Sequence, residues 1–86
     1  METIEEYRKK IDEIDDAILS LLKKRFDVVE KIGAHKKAHK MPTHDRKREK
    51  NVLVSIKHKA QQKNIDINLI DTIWQAIFRE SYRLEQ

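Results

Sequence analysis

The first half of the chain carries the pattern that decides the fold. Residues 4 to 32 read IEEYRKKIDEIDDAILSLLKKRFDVVEKI. Apolar side chains recur within this stretch at alternating spacings of three and four residues, at Ile4, Tyr7, Ile11, Ile14, Ile18, Leu21, Val28 and Ile32. Such spacing, sustained for about four heptads, predicts an α-helix with a single apolar seam. The position that continues the seam between Leu21 and Val28 is occupied by Arg25.

The length of this helix predicts a partner. No helix breaker occurs before the Lys40-Met41-Pro42 stretch, so we expect the helix to run from about Thr3 to His39. At 1.5 Å per residue it would be roughly 50 Å long. Such a helix in a chain of 86 residues cannot bury its own seam. We therefore expect it to pair with its copy in a second subunit.

Two shorter helices are predicted after Pro42. The first runs from about Asp45 to Lys63, and Asp66 is placed to cap a final helix that continues to the C-terminus. The apolar face of the first is Val52, Leu53, Ile56 and Ala60; the inner face of the second is Ile70, Trp74, Ile77, Phe78, Ser81 and Glu85. The prediction is an all-α fold with one long and two shorter helices. We expect a single domain over residues 1–86 and an intertwined homodimer built on the long helix.

The composition excludes several classes of function. One glycine and one proline are too few for the turns of a β fold, and the absence of cysteine rules out disulfides and zinc–thiolate sites. His35 and His39 have metal-ligand spacing but no clear third ligand, so we expect no metal site. The N-terminus is acidic and no apolar run reaches membrane length, which predicts a soluble, cytoplasmic protein.

Hydrogen-bond donors interrupt the apolar faces of all three predicted helices. They are Arg25, Lys36, Arg48 and Ser81, in a chain with a net charge of +4. An unpaired buried guanidinium costs several kcal/mol, so a cluster of such donors predicts a bound anion. Arginine binds carboxylates through two parallel hydrogen bonds. The basic patch lacks interleaved aromatic residues and helix-turn-helix spacing, so the sequence favours a small anionic ligand over nucleic acid.

Each of these residues also has a purely structural interpretation. Arg25 could fix the register of a coiled coil, and Ser81 could bond to the helix backbone. Asp45 could be an N-cap and Glu85 a solvated chain end. Internal pairing of the cations with Asp45, Glu49 and Glu85 is a further alternative.

Arg8 lies too far along the first helix to join this cluster within one subunit. It shares a seven-residue stripe with Lys36, but 28 residues of helix separate the two by roughly 42 Å. In an antiparallel pair of first helices, Arg8 of one copy would approach Arg25 and Lys36 of the other.

Taken together, these residues resemble the small all-helical chorismate mutases of the AroQ type. The resemblance spans nearly the whole chain without gaps, and the joint spacing of its motifs is highly specific. The segments that carry it are Arg8-Lys9-Lys10-Ile11 with Ile14-Asp15, Leu21-Leu22-Lys23-Lys24-Arg25, Ile32-Gly33-Ala34-His35-Lys36, Pro42 to Glu49, and Ser81.

The resemblance implies conversion of chorismate to prephenate, the branch step toward phenylalanine and tyrosine in the shikimate pathway. No nucleophile, metal or cofactor is needed. By this resemblance Arg8 from the partner subunit, Arg25 and Arg48 would hold the two carboxylates of the substrate, with Ser81 assisting. Lys36 would donate to the ether oxygen, while Glu49 and the backbone at Asp45 would bind the ring hydroxyl.

Apolar walls are expected from five residues around the substrate. They are Val28, Ile32, Val52, Phe78 and Tyr82.

Glu85 departs from the pattern of the family, in which the position is commonly a glutamine that donates to the same ether oxygen. A glutamate can donate there only when it is protonated. We therefore expect activity to be higher at mildly acidic pH, and Glu85→Gln to flatten the pH profile.

Three other interpretations of the sequence remain at this point. An isochorismate-pyruvate lyase would share the fold, although the intact Asp45, Arg48 and Glu49 segment favours the mutase. A basic helical dimer that binds nucleic acid would show steep salt dependence. The chain could also be one domain of a larger bifunctional enzyme, although the Met1 start and the missing linker favour a free-standing protein.

Overall fold

The computed structural model describes residues 2–86, so Met1, the first residue of the expected domain, lies outside the described part of the chain. Three α-helices account for nearly all of it: α1 spans Ile4–Ala38, α2 spans Arg46–Gln62 and α3 spans Ile67–Glu85. Residues 2–86 contain no strand. The predicted all-α fold, with one long and two shorter helices, is confirmed.

Each helix begins at a side-chain cap. Thr3 and Glu6 form a reciprocal capping box at the start of α1. Asp45 accepts a hydrogen bond from the backbone N–H of Arg48, and Asp66 accepts one from that of Leu69. The short polar side chain at each entry thus satisfies a backbone donor that has no partner within its helix.

The ends of α1 and α2 share one motif. The N–H of Met41 donates to the carbonyl of Lys36 at 2.8 Å, and that of Ile65 donates to the carbonyl of Ala60 at 2.9 Å. The residue before each donor, Lys40 or Asn64, has a positive φ, as this type of helix end requires. The chain therefore leaves α1 before it reaches Pro42.

α3 lies between the other two helices. It runs parallel to α1, because Ile73 and Trp74 share a cleft with Ile18 while Glu85 touches Gly33. It runs antiparallel to α2, because Lys57 in the second half of α2 forms an ion pair with Asp71 near the start of α3. In the described chain, α1 and α2 do not pack on each other. The buried apolar side chains are few: Val29, Ala60, Ile70, Ile77 and Phe78.

The molecule is a thin, elongated layer. Its principal extents are 58 × 24 × 15 Å, and the shortest is little more than the diameter of one helix. The radius of gyration is 16.4 Å, whereas a compact domain of this length has one of about 12 Å. All residues from Glu2 to Leu21 are exposed. None of the helices in residues 2–86 has the length and apolar character needed to cross a membrane.

Candidate active site

Most of the polar residues singled out by the sequence meet at one cavity near the C-terminal end of α3. The cavity has a volume of about 100 Å³. Its walls come from all three helices and the loop between α1 and α2: Arg25, Val29, Lys36, His44, Asp45, Glu49, Phe78, Ser81, Tyr82 and Glu85. Small-molecule sites commonly enclose 300 Å³ or more, about three times the volume of this cavity.

Lys36 lines this cavity and is held in place by two hydrogen bonds. Its ammonium donates to Glu85 Oε1 at 2.8 Å and to the carbonyl of Thr43 at 2.8 Å. The side chains of Lys36 and Glu85 are 16% and 13% exposed, so the ion pair is largely shielded from water. The two contacts tie α1 to α3 and to the loop that leads into α2.

Gly33 allows this approach of α1 and α3. A Cβ atom at residue 33 would lie 2.8 Å from Cα and 3.0 Å from the carbonyl oxygen of Glu85. Both are backbone atoms, so they could move away only if the end of α3 moved with them. Sequence reasoning treated this glycine as part of a motif and missed its packing role, because the contact depends on where α3 lies.

Arg25 lies about three turns before Lys36 on α1 and lines the same cavity. Its Nη1 donates to Ser81 Oγ at 3.2 Å, and the Ser81 hydroxyl donates to the carbonyl of Ile77 at 2.8 Å. Burial and the nearby positive charge of Arg48 lower the pKa of Arg25. Between residues 2 and 86 no carboxylate forms an ion pair with Arg25.

The alternative of internal pairing therefore applies to Lys36 and not to Arg25. Glu85 is taken by Lys36, and Glu49 accepts from His44 at 2.8 Å. Asp45 caps α2. The structural interpretations of Ser81 and Asp45 are also correct, since each bonds to a helix backbone while it lines the cavity.

Two of the expected arginines lie outside the cavity of their own chain. The Arg48 side chain is exposed and lines a groove along α2 with Val52, although its charge reaches Arg25. Arg8 is exposed on the free first half of α1. This placement agrees with the distance that separates Arg8 from Lys36 along the helix.

The walls of the cavity differ in part from those expected. Phe78 and Tyr82 line it, as anticipated, but Val29 takes the place of Val28 and Ile32, which are 54% and 44% exposed on the seam. His44, which sequence reasoning did not select, also lines the cavity and packs on the Tyr82 ring with centroids 4.7 Å apart. A single histidine in a loop cannot be recognised as a cavity residue from the sequence, because the position of the loop relative to α3 is not known.

His35 and His39 lie one helical turn apart near the end of α1. Their rings stack with centroids 4.2 Å apart, on the exposed side of α1. No cluster of three or more potential metal ligands occurs in the described part of the chain.

The sequence matches the chorismate mutase type II family over residues 7–86. The chain belongs to that family. The family match includes every polar residue of the cavity, together with Arg8.

Relatives of known function agree with this assignment. The whole chain aligns with 87% of a chorismate mutase from Methanocaldococcus jannaschii at 31% identity. Over 91% of its length, it is 33% identical to a T-protein of Enterobacter agglomerans and 30% identical to a 4-amino-4-deoxychorismate mutase of Streptomyces pristinaespiralis. The aligned chain spans 21% of the T-protein and 60% of the Streptomyces protein. No solved structure matches this chorismate mutase family member significantly.

Proposed function

We propose that this chorismate mutase family protein rearranges chorismate to prephenate in the biosynthesis of phenylalanine and tyrosine. One observation carries the proposal: α1 presents Arg25 and Lys36 to a single cavity, and no carboxylate of residues 2–86 pairs with Arg25. A half-buried guanidinium without an acidic partner favours an anionic ligand. Chorismate supplies two carboxylates and, between them, an ether oxygen.

The reaction is intramolecular and requires no covalent bond between the substrate and the protein. The ether carbon–oxygen bond breaks while a carbon–carbon bond forms between the side-chain methylene and the ring, and no group leaves. Catalysis then depends on holding the reactive chair conformation and on stabilising the negative charge that grows on the ether oxygen. The proposal accordingly includes no metal and no cofactor.

Lys36 and Glu85 are the groups that would act on the ether oxygen. The Lys36 ammonium is fixed by two hydrogen bonds of 2.8 Å and retains a third N–H for the substrate. Glu85 lies beside it and can donate to the same oxygen only in its protonated form. Lys36 therefore supplies the positive charge, and Glu85 supplies a second donor at low pH.

The carboxylates of the substrate would be held by Arg25, Arg48 and Arg8 of the partner subunit. Ser81 assists by holding the Arg25 guanidinium, because its own hydrogen is donated to Ile77. Glu49 and the backbone at Asp45 would bind the ring hydroxyl. Glu49 suits this role because a carboxylate accepts hydrogen bonds.

A homodimer is supported by the surface that the single chain leaves open. The accessible surface is 7366 Å², whereas a folded monomer of this mass has about 5400 Å². The excess has the size that obligate dimers bury. Much of it is the apolar seam of α1, where the exposed fractions of Ile11, Ile14 and Ile18 lie between 49% and 55%.

The seam also supports a register for the dimer. Antiparallel helices pair unlike seam positions, and this chain satisfies that rule when the residue numbers of facing positions add to 32, 39 or 46. Of these registers, 39 is the one that brings Arg8 of the partner subunit between Arg25 and Lys36. Ile18 then faces Leu21, Ile11 faces Val28 and Tyr7 faces Ile32 of the partner subunit. Arg8 of the partner subunit becomes level with Lys31, about 9 Å along the axis from Arg25 and about 7.5 Å from Lys36.

Turnover of chorismate is the direct test. Purified protein is incubated with chorismate, its ultraviolet absorbance is followed, and prephenate is identified as the product. Release of pyruvate from isochorismate, without prephenate formation, would indicate the lyase instead. The Streptomyces relative makes 4-amino-4-deoxychorismate a useful comparison substrate, because the Glu49 carboxylate could accept from an amine as well as from a hydroxyl. Absence of chorismate turnover, together with tight binding of nucleic acid, would contradict the proposal. The cytoplasmic location of the protein stays a prediction.

A further inference from the structure

The histidine of the α1–α2 loop makes a specific contact at the edge of the cavity. His44 Nε2 lies 2.8 Å from Glu49 Oε1. An ionised carboxylate can only accept a hydrogen bond, so Nε2 carries the hydrogen and donates it. In residues 2–86 no side chain donates to the second oxygen of Glu49, which leaves that oxygen available to a ligand.

The position of His44 is determined by the residues around it. The loop is anchored on one side by Lys36, whose ammonium donates to the carbonyl of Thr43, and on the other by Asp45, which caps α2. The imidazole packs on the ring of Tyr82 at an interplanar angle of 45°. His44 therefore reaches Glu49 from a backbone that is held on both sides and from a ring that is packed on α3.

Glu49 lies among cations that would otherwise attract it. It lines the same cavity as Arg25, which has no ion-pair partner in the described chain, and Arg48 is its neighbour on α2. Lys36 is already neutralised by Glu85. A carboxylate and an unpaired guanidinium on one small, partly buried cavity attract each other strongly. Since an arginine paired with Glu49 could not hold a substrate carboxylate, this internal ion pair would block the site.

We propose that His44 is a positioning residue that keeps the Glu49 carboxylate away from Arg25 and directs its free oxygen toward the ring hydroxyl of the substrate. This inference rests on the proposed function of the site. It gives His44 two effects that packing alone would not produce. His44 maintains the affinity for a dicarboxylate substrate, and its effect depends entirely on the charge of Glu49.

A double-mutant cycle tests this role in the 86-residue chain with chorismate as substrate. We expect H44A to raise KM about tenfold, the equivalent of one lost charge-assisted contact of about 1.4 kcal/mol, with a smaller change in kcat. H44Q, whose amide N–H can take the place of Nε2–H, should keep KM within about twofold of wild type. In the E49Q background, which has no carboxylate to compete for Arg25, H44A should change KM by less than about twofold.

A second readout does not depend on turnover. A crystal structure of H44A should show the Glu49 carboxylate turned onto Arg25 or Arg48. Equal losses for H44A and H44Q in both backgrounds would overturn the inference, as would Glu49 unmoved in the H44A crystal. Wild-type protein that leaves chorismate unchanged would overturn the proposed function, while the crystal structure of H44A would still decide where His44 holds Glu49.

Discussion

The Lys36 ammonium lies 2.8 Å from the Glu85 carboxylate, beside the tight backbone contact between Gly33 of α1 and Glu85 of α3. This ion pair joins α1 to α3 within the candidate site. The same two residues are those that would contact the ether oxygen of chorismate. Their geometry depends on the helix contact beside them, and their charges determine how activity should vary with pH.

Glu85→Gln should flatten the dependence of activity on pH. An ionised Glu85 accepts from Lys36 and offers the ether oxygen no donor, whereas the protonated form can donate. Since lowering the pH increases the protonated fraction of a carboxyl group, wild-type kcat/KM should rise toward mildly acidic pH. The amide of the variant donates at every pH. Profiles of kcat/KM between pH 5 and 8 provide the measurement, and a wild-type rate independent of pH would contradict this role of Glu85.

Gly33→Ala should impair catalysis through the position of Glu85. The added Cβ would lie 2.8 Å from a backbone atom of Glu85, so the end of α3 must shift. We expect kcat to fall at least tenfold and the free energy of unfolding to fall by about 1–3 kcal/mol, as for other overpacked contacts. Ala34→Gly, on the exposed neighbouring position, is the control: it weakens the helix by about 1 kcal/mol but should preserve kcat.

Arg25→Leu should abolish most activity and stabilise the protein without ligand. Burial and the charge of Arg48 lower the pKa of Arg25, so the folded state disfavours its charged form. An arginine is charged across pH 5–9 in both states, so the cost does not change over that range. Because the side chain is partly exposed, we expect a gain of about 1 kcal/mol or less. The loss in kcat/KM should be about 10²–10³-fold.

Thermal unfolding and kinetics of the same preparations check this trade-off. Arg83→Leu, on an exposed position of α3 outside the cavity, is a matched control that should leave kcat/KM unchanged. A less stable Arg25→Leu would mean that the guanidinium has a favourable partner in the free protein, and that the anion is not needed to offset its burial.

The sequence predicted the helices because these depend on local rules, whereas most residues of the cavity were named through the resemblance to the family. The heptad spacing determined α1, and Asp45 and Asp66 were recognisable as caps. The order of the helices in space was not predictable, because an apolar face does not specify which of two neighbours it meets. Gly33 and His44 were missed for that reason: each acts through a residue more than four positions away, Glu85 for Gly33 and Tyr82 for His44.

Mixing two inactive variants should restore activity if the site is shared. In a dimer of Arg8→Ala with Lys36→Ala, one site keeps both residues and the other lacks both. After subunit exchange of an equal mixture, about a quarter of the wild-type activity should return, since half of the dimers are mixed and each has one intact site. Each variant alone is the control. A monomer with full activity would contradict the contribution of Arg8 from the partner subunit.

Disulfide formation tests the register of the proposed dimer. The natural chain has no cysteine, so any crosslink reports only the introduced pair. If facing positions add to 39, the double variant I18C/L21C should form two symmetric disulfides between subunits, because its side chains meet in adjacent seam layers. I11C/L21C would crosslink if facing positions added to 32, and I18C/V28C if they added to 46. These registers lie one heptad away from the proposed one, so both variants should crosslink poorly. Non-reducing electrophoresis after mild oxidation gives the readout. Preferred crosslinking of either alternative pair would move Arg8 of the partner subunit along α1 by about 10 Å, too far from Arg25 or from Lys36 to complete the site.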